Sequence, residues 1–578
     1  MLPCLALLPR PLLPLKHCVR RVSTINRAVS SYLDHEGEWL WNGTLQRSRR
    51  RVHLDIDALQ NIASSAVGAL RCIRVENLAQ GPSSSSIPLS VILIHRTGSY
   101  NKVFLLGFDN GAKAIARIPC ALVGNVHMST ASEVATMEYV REVFGKPTPR
   151  VLTWSSTPEA RTAVGTDFIL MEYIQGAPLE DRWLNTFDED IGVVLRELIH
   201  FDIDIHQRPF SQIGSLFFKE DVSPELQSRP LYLRESDNKE SVADKYRIGP
   251  IVDNQYWFGG EEPVIGDRGS WPDMTTYLQA TCRLALRRAE YQAANAASSC
   301  PSSSSLLSRS KPDDLPELRQ LLHHCIEMVP YLTPSEPAIA YPFLSHPDLS
   351  RSNIIVQSSG AANVVSYIDW QGAATTPYLM GPDLPPAMRY EGSLIPFPDD
   401  PFSPPDLPPD IPPELKEQAE LEWRLAKRHR GMASILLRNV PMRFATACVH
   451  RLDLLRSLPD TALRCYADGP HRLRHLVFEM YKEWSAIMEG SASPAECPVQ
   501  LTAAEIVHER EEYAAYSRYQ QRRDEALAMI RGDPDGWMSE ENTEVMRQRW
   551  AVAREKWNED GAGGPFPLED GMWSFHLT

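Results

Sequence analysis

The 578-residue sequence predicts a bilobal α+β fold: a small antiparallel sheet with one helix, followed by a large, mainly helical lobe with a helical extension. Three observations predict this division. Residues 90–175 follow the order strand, strand, strand, helix, strand, strand. A Gly-Ala-Pro sequence at 176–178 then breaks the pattern. Beyond it the sequence is largely helical in pattern, interrupted by a Ser-rich loop at 298–310 and a segment with twelve prolines at 382–413.

The first three strands are short runs of apolar and β-branched residues. Residues 90–95, 101–108 and 113–118 predict an antiparallel meander. The sequence Asp-Asn-Gly at 109–111 is typical of the tight turn that such a hairpin needs.

The rest of the small lobe is one helix and two strands. The helix is predicted to begin at Ser129 or Thr130, which are residue types that cap helices, and to end at Gly145. Residues 151–155 and 167–173 predict the two further strands, and the second of these leads into the break at the end of the lobe.

Composition excludes several classes of function. There are 59 basic and 74 acidic residues, and the resulting net charge of −15 opposes binding to nucleic acid. No run reaches the roughly 18–20 apolar residues of a membrane-spanning helix, so no transmembrane segment is predicted. The ten cysteines show no zinc-ligand or redox spacing, which favours a reducing compartment.

The first 33 residues differ in charge from the rest. They contain five basic residues and no acidic one, which is typical of a mitochondrial presequence, and 15–31 could form an amphipathic basic helix. A disordered basic tail is the alternative. The predicted units are the presequence 1–33, an extension 34–89, the small lobe 90–175, the large lobe 176–381, the proline-rich segment 382–413 and the helical part 414–578.

One pattern carries the chemistry. His346, Asp348 and Asn353 form an H-x-D-x-x-x-x-N sequence, here called the HxD loop (346–353), and Asp369 follows an apolar strand sixteen residues later. The strands 353–356 and 364–368 predict a hairpin, which would place the three carboxamide and carboxylate side chains at one end. Phosphoryl transfer needs such a set, because one carboxylate orients the attacking hydroxyl while an Asn and a second Asp hold magnesium.

With these motifs the chain resembles the protein-kinase-like fold, in its aminoglycoside phosphotransferase and choline kinase branch. The resemblance implies that Asp348 is the catalytic base and that Asn353 and Asp369 are magnesium ligands. It also implies that His346 supports the catalytic loop.

The small lobe matches the same fold independently. Gly98 and Ser99 lie where the phosphate-covering loop turns, and Arg117 lies where the strand-three lysine of kinases stands. The resemblance implies an ion pair between Arg117 and Glu133, for which Glu138 is a competing partner. It further implies a hinge in which the Glu172 carbonyl and the Ile174 amide bind adenine.

A closer resemblance is to the altered inheritance of mitochondria protein 9 family. It rests on six short motifs: W-L-W-N at 39–42, Y-N-K-V-F at 100–104, A-R-I-P at 116–119, S-E-V-A-T-M at 132–137, G-S-L-F-F at 214–218 and S-H-P-D-L at 345–349. This resemblance implies a mitochondrial protein with the phosphotransferase domain.

Two departures from the kinase pattern are relevant to activity. Arg117 replaces the usual lysine, and a guanidinium is not interchangeable with an ammonium. Gly98 is the one glycine left in the phosphate-covering loop. Prolines also follow Asp369 closely, so an activation segment of the protein-kinase type is not expected.

Other polar and aromatic residues have structural interpretations. Asp202 and Asp204 alternate with apolar residues and predict a solvated helix face. His206 is expected to pack in the core. The cluster Tyr256-Trp257-Phe258 is expected to pack an inserted helix, with a site for a cationic substrate as the alternative.

The sequence therefore predicts a mitochondrial phosphotransferase that uses ATP and Mg²⁺ and acts on a hydroxyl of a small molecule. The alternative is a nucleotide-binding pseudokinase that serves as a scaffold, with the helical region 414–558 as its interaction surface. Protein phosphorylation is a third possibility, and no platform for a substrate peptide is recognisable in the sequence.

Overall fold

The computed structural model describes residues 37–78, 100–184, 188–257, 266–296, 312–390, 392, 412–533, 535–539, 542–559 and 566–570. Its strands are β1 Gly37–Trp39, β2 Cys72–Asn77, β3 Asn101–Phe108, β4 Lys113–Pro119, β5 Val151–Trp154, β6 Ile169–Glu172, β7 Ala177–Pro178, β8 Ser215–Phe218, β9 Tyr246–Gly249, β10 Pro342–Ser345, β11 Ile354–Val356, β12 Val364–Tyr367, β13 Ala374–Pro377 and β14 Trp537–Ser539.

The α-helices are α1 Gly43–Arg50, α2 Ile56–Ala66, α3 Val126–Phe144, α4 Pro158–Val164, α5 Leu179–Trp183, α6 Asp188–Ile205, α7 Pro224–Gln227, α8 Val242–Lys245, α9 Met274–Ala296, α10 Leu315–Met328, α11 Pro413–Asn439, α12 Pro441–Ala447, α13 Leu452–Asp468, α14 His471–Lys482, α15 Trp484–Glu489, α16 Ala503–Ile530 and α17 Thr543–Glu559. Within the described ranges, none of these helices combines the length and apolarity needed to cross a bilayer.

The small lobe is a five-stranded antiparallel sheet in the order β2-β3-β4-β6-β5. Strands β3 and β4 confirm the hairpin predicted around the Asp-Asn-Gly turn, and β5 and β6 confirm the two strands after the helix. The predicted strand at 90–95 lies outside the described residues. The place beside β3 is taken by β2, which the strand pattern does not reveal because this edge strand is charged and partly exposed along its length.

Helix α3 packs across the sheet and is buried on nearly every side. It begins three to four residues earlier than predicted, because the side chain of Asn125 accepts a hydrogen bond from the amide of Met128 and caps the helix. Its end is as predicted, since Gly145 adopts the left-handed conformation that terminates it. Eleven of its residues are buried, and so α3 is a fixed element between the two lobes.

The connection between the lobes passes directly beside the predicted hairpin. Strands β11 and β12 pair antiparallel, as predicted, and β7 of the linker pairs with β11 on the other side. Gly176 makes this approach possible, since a Cβ there would lie 2.7 Å from the carbonyl oxygen of Val356.

The large lobe is built around a helical core. Helices α9, α10, α13 and α14 enclose one apolar cluster that includes Leu278, Leu322, Leu458 and Leu473. A second cluster joins α3 and α6 to the β11–β12 hairpin. The α+β bilobal arrangement predicted from the sequence is confirmed.

The two ends of the described chain meet. Strand β1 pairs antiparallel with β14, and Trp41 is buried in a cluster with residues of α16 and α17. Strand β1 and Trp41 therefore form one packed unit with the last helices of the chain, whereas α2 packs on the small-lobe sheet.

Candidate active site

A cleft between the two lobes collects most of the predicted site residues. Its lining includes Arg117, Glu133, Glu172, Ile174, Asp348, Asn353 and Asp369. His346, the first residue of the HxD loop, is buried and does not line the cleft, and the predicted Gly98 and Ser99 lie outside the described residues.

Arg117 pairs with one carboxylate of its own lobe and with one of the large lobe, and the second pair links the two lobes. Its guanidinium donates to Glu133 on α3 and to Asp369 after β12, and a further bond of 2.9 Å joins it to Oε1 of Gln371. Burial by itself lowers the pKa of Arg117, but the charges of Asp369 and Glu133 outweigh this effect and raise it. The guanidinium is therefore a permanent positive charge in the cleft.

Strand alternation explains why Arg117 faces the cleft. Ile115 lines the cleft beside it, whereas Ala116 and Ile118 point into the core on the other face of the sheet. Glu133 comes from the first half of α3, and the predicted pairing with Arg117 is present. The competing Glu138 instead forms an ion pair of 2.5 Å with Lys245.

Glu133 is almost fully buried, with 3% of its side chain exposed. Burial raises the pKa of this carboxyl to about 7, against the lowering effect of Arg117, and the negative charge of Asp369 raises it further. Its charge near neutral pH therefore depends on the guanidinium beside it.

Asp348 is held at the cleft floor by its own loop. The hydroxyl of Ser350 donates to its Oδ2 at 3.2 Å, and Nδ2 of Asn353 donates to the same oxygen at 3.1 Å. Burial raises the pKa of Asp348; the bond from Ser350 lowers it, and the charge of Asp369 raises it again. The result is an oriented carboxylate that is more basic than an exposed aspartate.

The His346 ring stabilises the HxD loop through two hydrogen bonds. Burial lowers its pKa to about 4, so the ring is neutral at physiological pH. Nδ1 accepts the amide of Asp348 at 3.2 Å, and Nε2 must then carry the proton and donate to the carbonyl of Ile368 at 3.0 Å. His346 thus ties the residue before Asp369 to Asp348, which matches the supporting role implied for it.

Asn353 and Asp369 present oxygen atoms at the same end of the hairpin. The amide of Ile368 donates to the Asn353 carbonyl at 3.0 Å, and Asp369 adopts a left-handed backbone conformation with φ of 65°. Since Nδ2 of Asn353 is used by Asp348, its Oδ1 is left as the ligand atom. Among the residues described, no three His, Cys, Asp or Glu side chains are arranged so that they could hold a metal ion by themselves. One amide and one carboxylate nevertheless fit Mg²⁺ that arrives with phosphate ligands.

The hinge side of the cleft is apolar. Leu78, Val103 and Ile115 form walls against which a flat ring can pack. Glu172 and Ile174 line the same end, and the Glu172 side chain accepts the amide of Arg150 at 2.8 Å. This bond fixes the hinge backbone beside the apolar end of the cleft.

Two side chains of the site were missed by the sequence reasoning. Gln371 accepts hydrogen bonds from both Arg117 and Asn101, the latter at 2.6 Å. The Tyr100 hydroxyl accepts a bond of 3.1 Å from Asn254, so the large lobe contacts the small lobe at the start of β3. The sequence signal for Gln371 is proximity, since it lies two residues after Asp369, and Tyr100 adjoins Ser99 and begins the Y-N-K-V-F motif.

The predictions for residues outside the cleft differ in their outcome. The prediction of a solvated Asp202 is wrong, because α12 covers it and Arg443 forms a buried ion pair with it. His206 is largely shielded, with 13% of its side chain exposed, and its ring packs against Phe343 and Tyr378, as expected. Tyr256 and Trp257 pack against neighbouring side chains, while position 258 lies outside the described residues.

The five-stranded sheet, the Arg117–Glu133 ion pair between sheet and helix α3, and the HxD loop with its β11–β12 hairpin define a protein-kinase-like fold. Two solved structures align with it: one named for a fructosamine-3-kinase of Thermobifida fusca (11% identity, TM-score 0.29, 71% of this chain and 100% of that chain) and a macrolide 2'-phosphotransferase of Brachybacterium faecium (12%, 0.25, 68% and 97%). With such TM-scores the fold assignment rests on the sheet and the site.

Proteins of similar sequence point to a narrower group than the solved structures do. A subtelomeric hrmA-associated cluster protein of Aspergillus fumigatus is 29% identical over 321 residues, or 51% of this chain and 60% of the relative. Altered inheritance of mitochondria protein 9, mitochondrial, of Yarrowia lipolytica is 22% identical over 494 residues, or 83% and 81%. The Candida albicans protein of that name is 26% identical over 388 residues, or 62% and 61%.

These relatives confirm the resemblance to the altered inheritance of mitochondria protein 9 family. The word mitochondrial in their names confirms the predicted location. The chain spans 60% of the length of the Aspergillus relatives it matches. No protein-family profile matches the chain.

Proposed function

We propose that this protein is a mitochondrial phosphotransferase that transfers the γ-phosphoryl group of ATP, with Mg²⁺, to a hydroxyl of a small molecule. One observation carries the proposal. Asp348, Asn353 and Asp369 meet at the floor of one cleft, and a guanidinium that is paired with Glu133 faces them from the other lobe. This is the set of charges that phosphoryl transfer requires.

Each residue has a role in this reaction. Asp348, held by Ser350, would orient the acceptor hydroxyl and take its proton, which its raised pKa favours. Arg117 would contact the phosphate oxygens, for which a planar guanidinium is well shaped. Asn353 and Asp369 would hold Mg²⁺, and the ion would neutralise negative charge on the phosphates.

A small acceptor is favoured by the chain that follows Asp369. Residues of this stretch are buried in the large lobe, among them Tyr378, Leu379 and Ala387. Because these side chains are part of the core, the stretch is poorly suited to bind a peptide in extended form.

A nucleotide-binding scaffold without turnover is the second candidate. The contact between Arg117 and Asp369 favours it, because this carboxylate already has a cationic partner and Mg²⁺ must compete for it. The two candidates differ in whether ATP is consumed.

The test uses the full chain. A thermal shift with ATP, with and without Mg²⁺, measures binding, and ATP consumption over a pool of mitochondrial metabolites measures turnover. Asp348→Asn and Asp369→Asn should each abolish consumption without altering the circular dichroism spectrum, whereas the exposed Glu225→Gln should retain it. Binding without consumption over a broad pool would support the scaffold. Wild-type turnover in either aspartate variant would refute the assigned roles.

A further inference from the structure

The segment after β13 packs directly on the HxD loop. We call residues 378–390 the brace segment. The amide of Ala387 donates to the carbonyl of Leu349 at 2.8 Å, and the guanidinium of Arg351 donates to the carbonyl of Ala387 at 3.2 Å. Leu349 is adjacent to Asp348, and Arg351 lies between it and Asn353. One backbone carbonyl and one side chain of the HxD loop are therefore hydrogen-bonded to the main chain of Ala387.

Helix α12 fastens the brace segment to the lobe. Arg443 donates one guanidinium nitrogen to the carbonyl of Pro382 and another to the carboxylate of Asp202 on α6. The side chains of Arg443 and Asp202 are only 8% and 5% exposed. Hydrogen bonds between such buried charged groups are strong and directional, so the geometry at Pro382 is closely defined.

Helix α13 holds the same segment at a second point. Arg456 donates to the carbonyl of Leu379 at 2.7 Å and to the carboxylate of Asp383 at 2.8 Å. The brace segment is thus bonded to two successive helices of the C-terminal part before it reaches the HxD loop.

Helix α11 is connected to the HxD loop through Trp183. Arg428 donates to the carbonyl of Trp183 at 2.8 Å, and its guanidinium carbon lies 5.0 Å from the centre of the indole ring. Arg351 of the HxD loop lies over the same ring at 5.5 Å. Trp183 itself is buried, so it transmits the position of Arg428 to Arg351 through rigid contacts.

We propose that Arg428 and Arg443 are positioning residues, through which the C-terminal helices hold the HxD loop in the geometry needed for phosphoryl transfer. Arg428 acts through Trp183, and Arg443 acts through the brace segment. This inference rests on the proposed function, because it assigns a role within the same reaction. It gives helices α11 and α12 a part in the chemistry, although none of their described side chains lines the cleft.

The contacts hold the HxD loop through charged side chains that end on main-chain carbonyls. Arginine does not lose its charge at any physiological pH, and both of these arginines are buried. Their bonds end on main-chain carbonyls of Trp183 and Pro382, which no change of side chain in the brace segment removes. The HxD loop is therefore held in place before any ligand binds.

The variants must separate positioning from folding. Arg443→Met alone would leave the carboxylate of Asp202 buried and unpaired, which is destabilising. The double variant Arg443→Met with Asp202→Asn removes both charges and keeps similar volumes. For α11, Arg428→Met is compared with Arg428→Lys, which retains the positive charge and a single donor nitrogen.

The measurements use the full chain and separate binding from turnover. We expect Arg428→Met and the double variant to lower kcat by about tenfold or more, with the Kd for ATP changed by less than about threefold. Arg428→Lys should recover part of the loss. Arg424→Met and Arg438→Met are matched controls on exposed faces of the same helix and should leave kcat unchanged. Amide hydrogen exchange over 346–353 should become faster in the first two variants only.

Unchanged kcat together with unchanged exchange over 346–353 would overturn the proposal. So would a fall in kcat that Arg428→Lys does not recover and that tracks the fraction of unfolded protein. If the wild type has no turnover, the proposed function fails, and the exchange measurement still decides whether these arginines position the loop.

Discussion

The substitution Arg117→Met tests the electrostatics of the cleft most directly. It keeps a linear side chain of similar reach and removes the guanidinium that binds Glu133, Asp369 and Gln371. Glu133 is left buried, with 3% of its side chain exposed and without its cationic partner. A buried carboxyl in that position avoids the cost of an unpaired charge by taking up a proton.

The magnitude follows from the pKa of Glu133. Its ordinary value is 4.5, and the folded wild type raises it to about 7. Folding therefore already costs about 3 kcal/mol at this group at every pH above 7, because the unfolded carboxyl loses its proton more easily. Without Arg117 the folded pKa rises further, so the cost continues to grow by about 1.4 kcal/mol for each pH unit above 7.

We therefore expect the destabilisation by Arg117→Met to be roughly constant from pH 6 to 7 and to increase by about 2 kcal/mol between pH 7 and 8.5. Urea unfolding, followed by tryptophan fluorescence at each pH, measures the free energy of unfolding of both proteins. In a Glu133→Gln background the increase should vanish, because the titrating group is gone. A destabilisation that is independent of pH, or an increase that persists in that background, would refute the reasoning.

Three further predictions concern single contacts. Ser350→Ala removes the hydrogen bond that lowers the pKa of Asp348, so the acidic limb of the pH profile of kcat should move to higher pH; an unmoved limb would exclude Asp348 as the base. Tyr100→Phe removes the hydrogen bond that Asn254 donates between the lobes, and it should weaken ATP binding by about two- to tenfold in a fluorescence titration. Equal affinity would show that this contact does not help to close the cleft. His346→Gln removes a ring whose pKa falls from 6.5 to about 4 on folding. This ring alone should cost the wild type about 3 kcal/mol of stability as the pH drops from 6.5 to 4, and urea unfolding of the variant should lack that part of the slope.

The hairpin of β11 and β12, which follows the HxD loop, could be predicted from the sequence because its signals are local. Two apolar runs flank a Ser-Ser-Gly sequence at 358–360, and strand alternation then brings Asp348 and Asn353 to the end at which Asp369 follows. The pairing of Arg117 with Glu133 could be predicted only through the resemblance, because a strand and a helix can pack in several registers.

The features that the sequence did not predict correctly have a common cause. Strand β2 belongs to the sheet because β3 offers it an open edge, and its own charged sequence does not indicate a strand. Asp202 looks solvated within its helix, but a helix from much later in the chain covers it. Contacts of this kind depend on which distant surfaces meet, and periodicity within one element carries no information about them.

The sequence by itself determined the chemical groups and their local placement: Asp348, Asn353 and Asp369 stand at the ends of short strands, where alternation and turn residues leave one plausible pairing. Only the tertiary structure decided which charges meet at a distance. Asp202 and Arg443 are separated by 241 positions, and burial joins them because two charges removed from water are tolerated only as a pair. The same packing brings Ala387 against Leu349 and so connects the C-terminal helices to the proposed base.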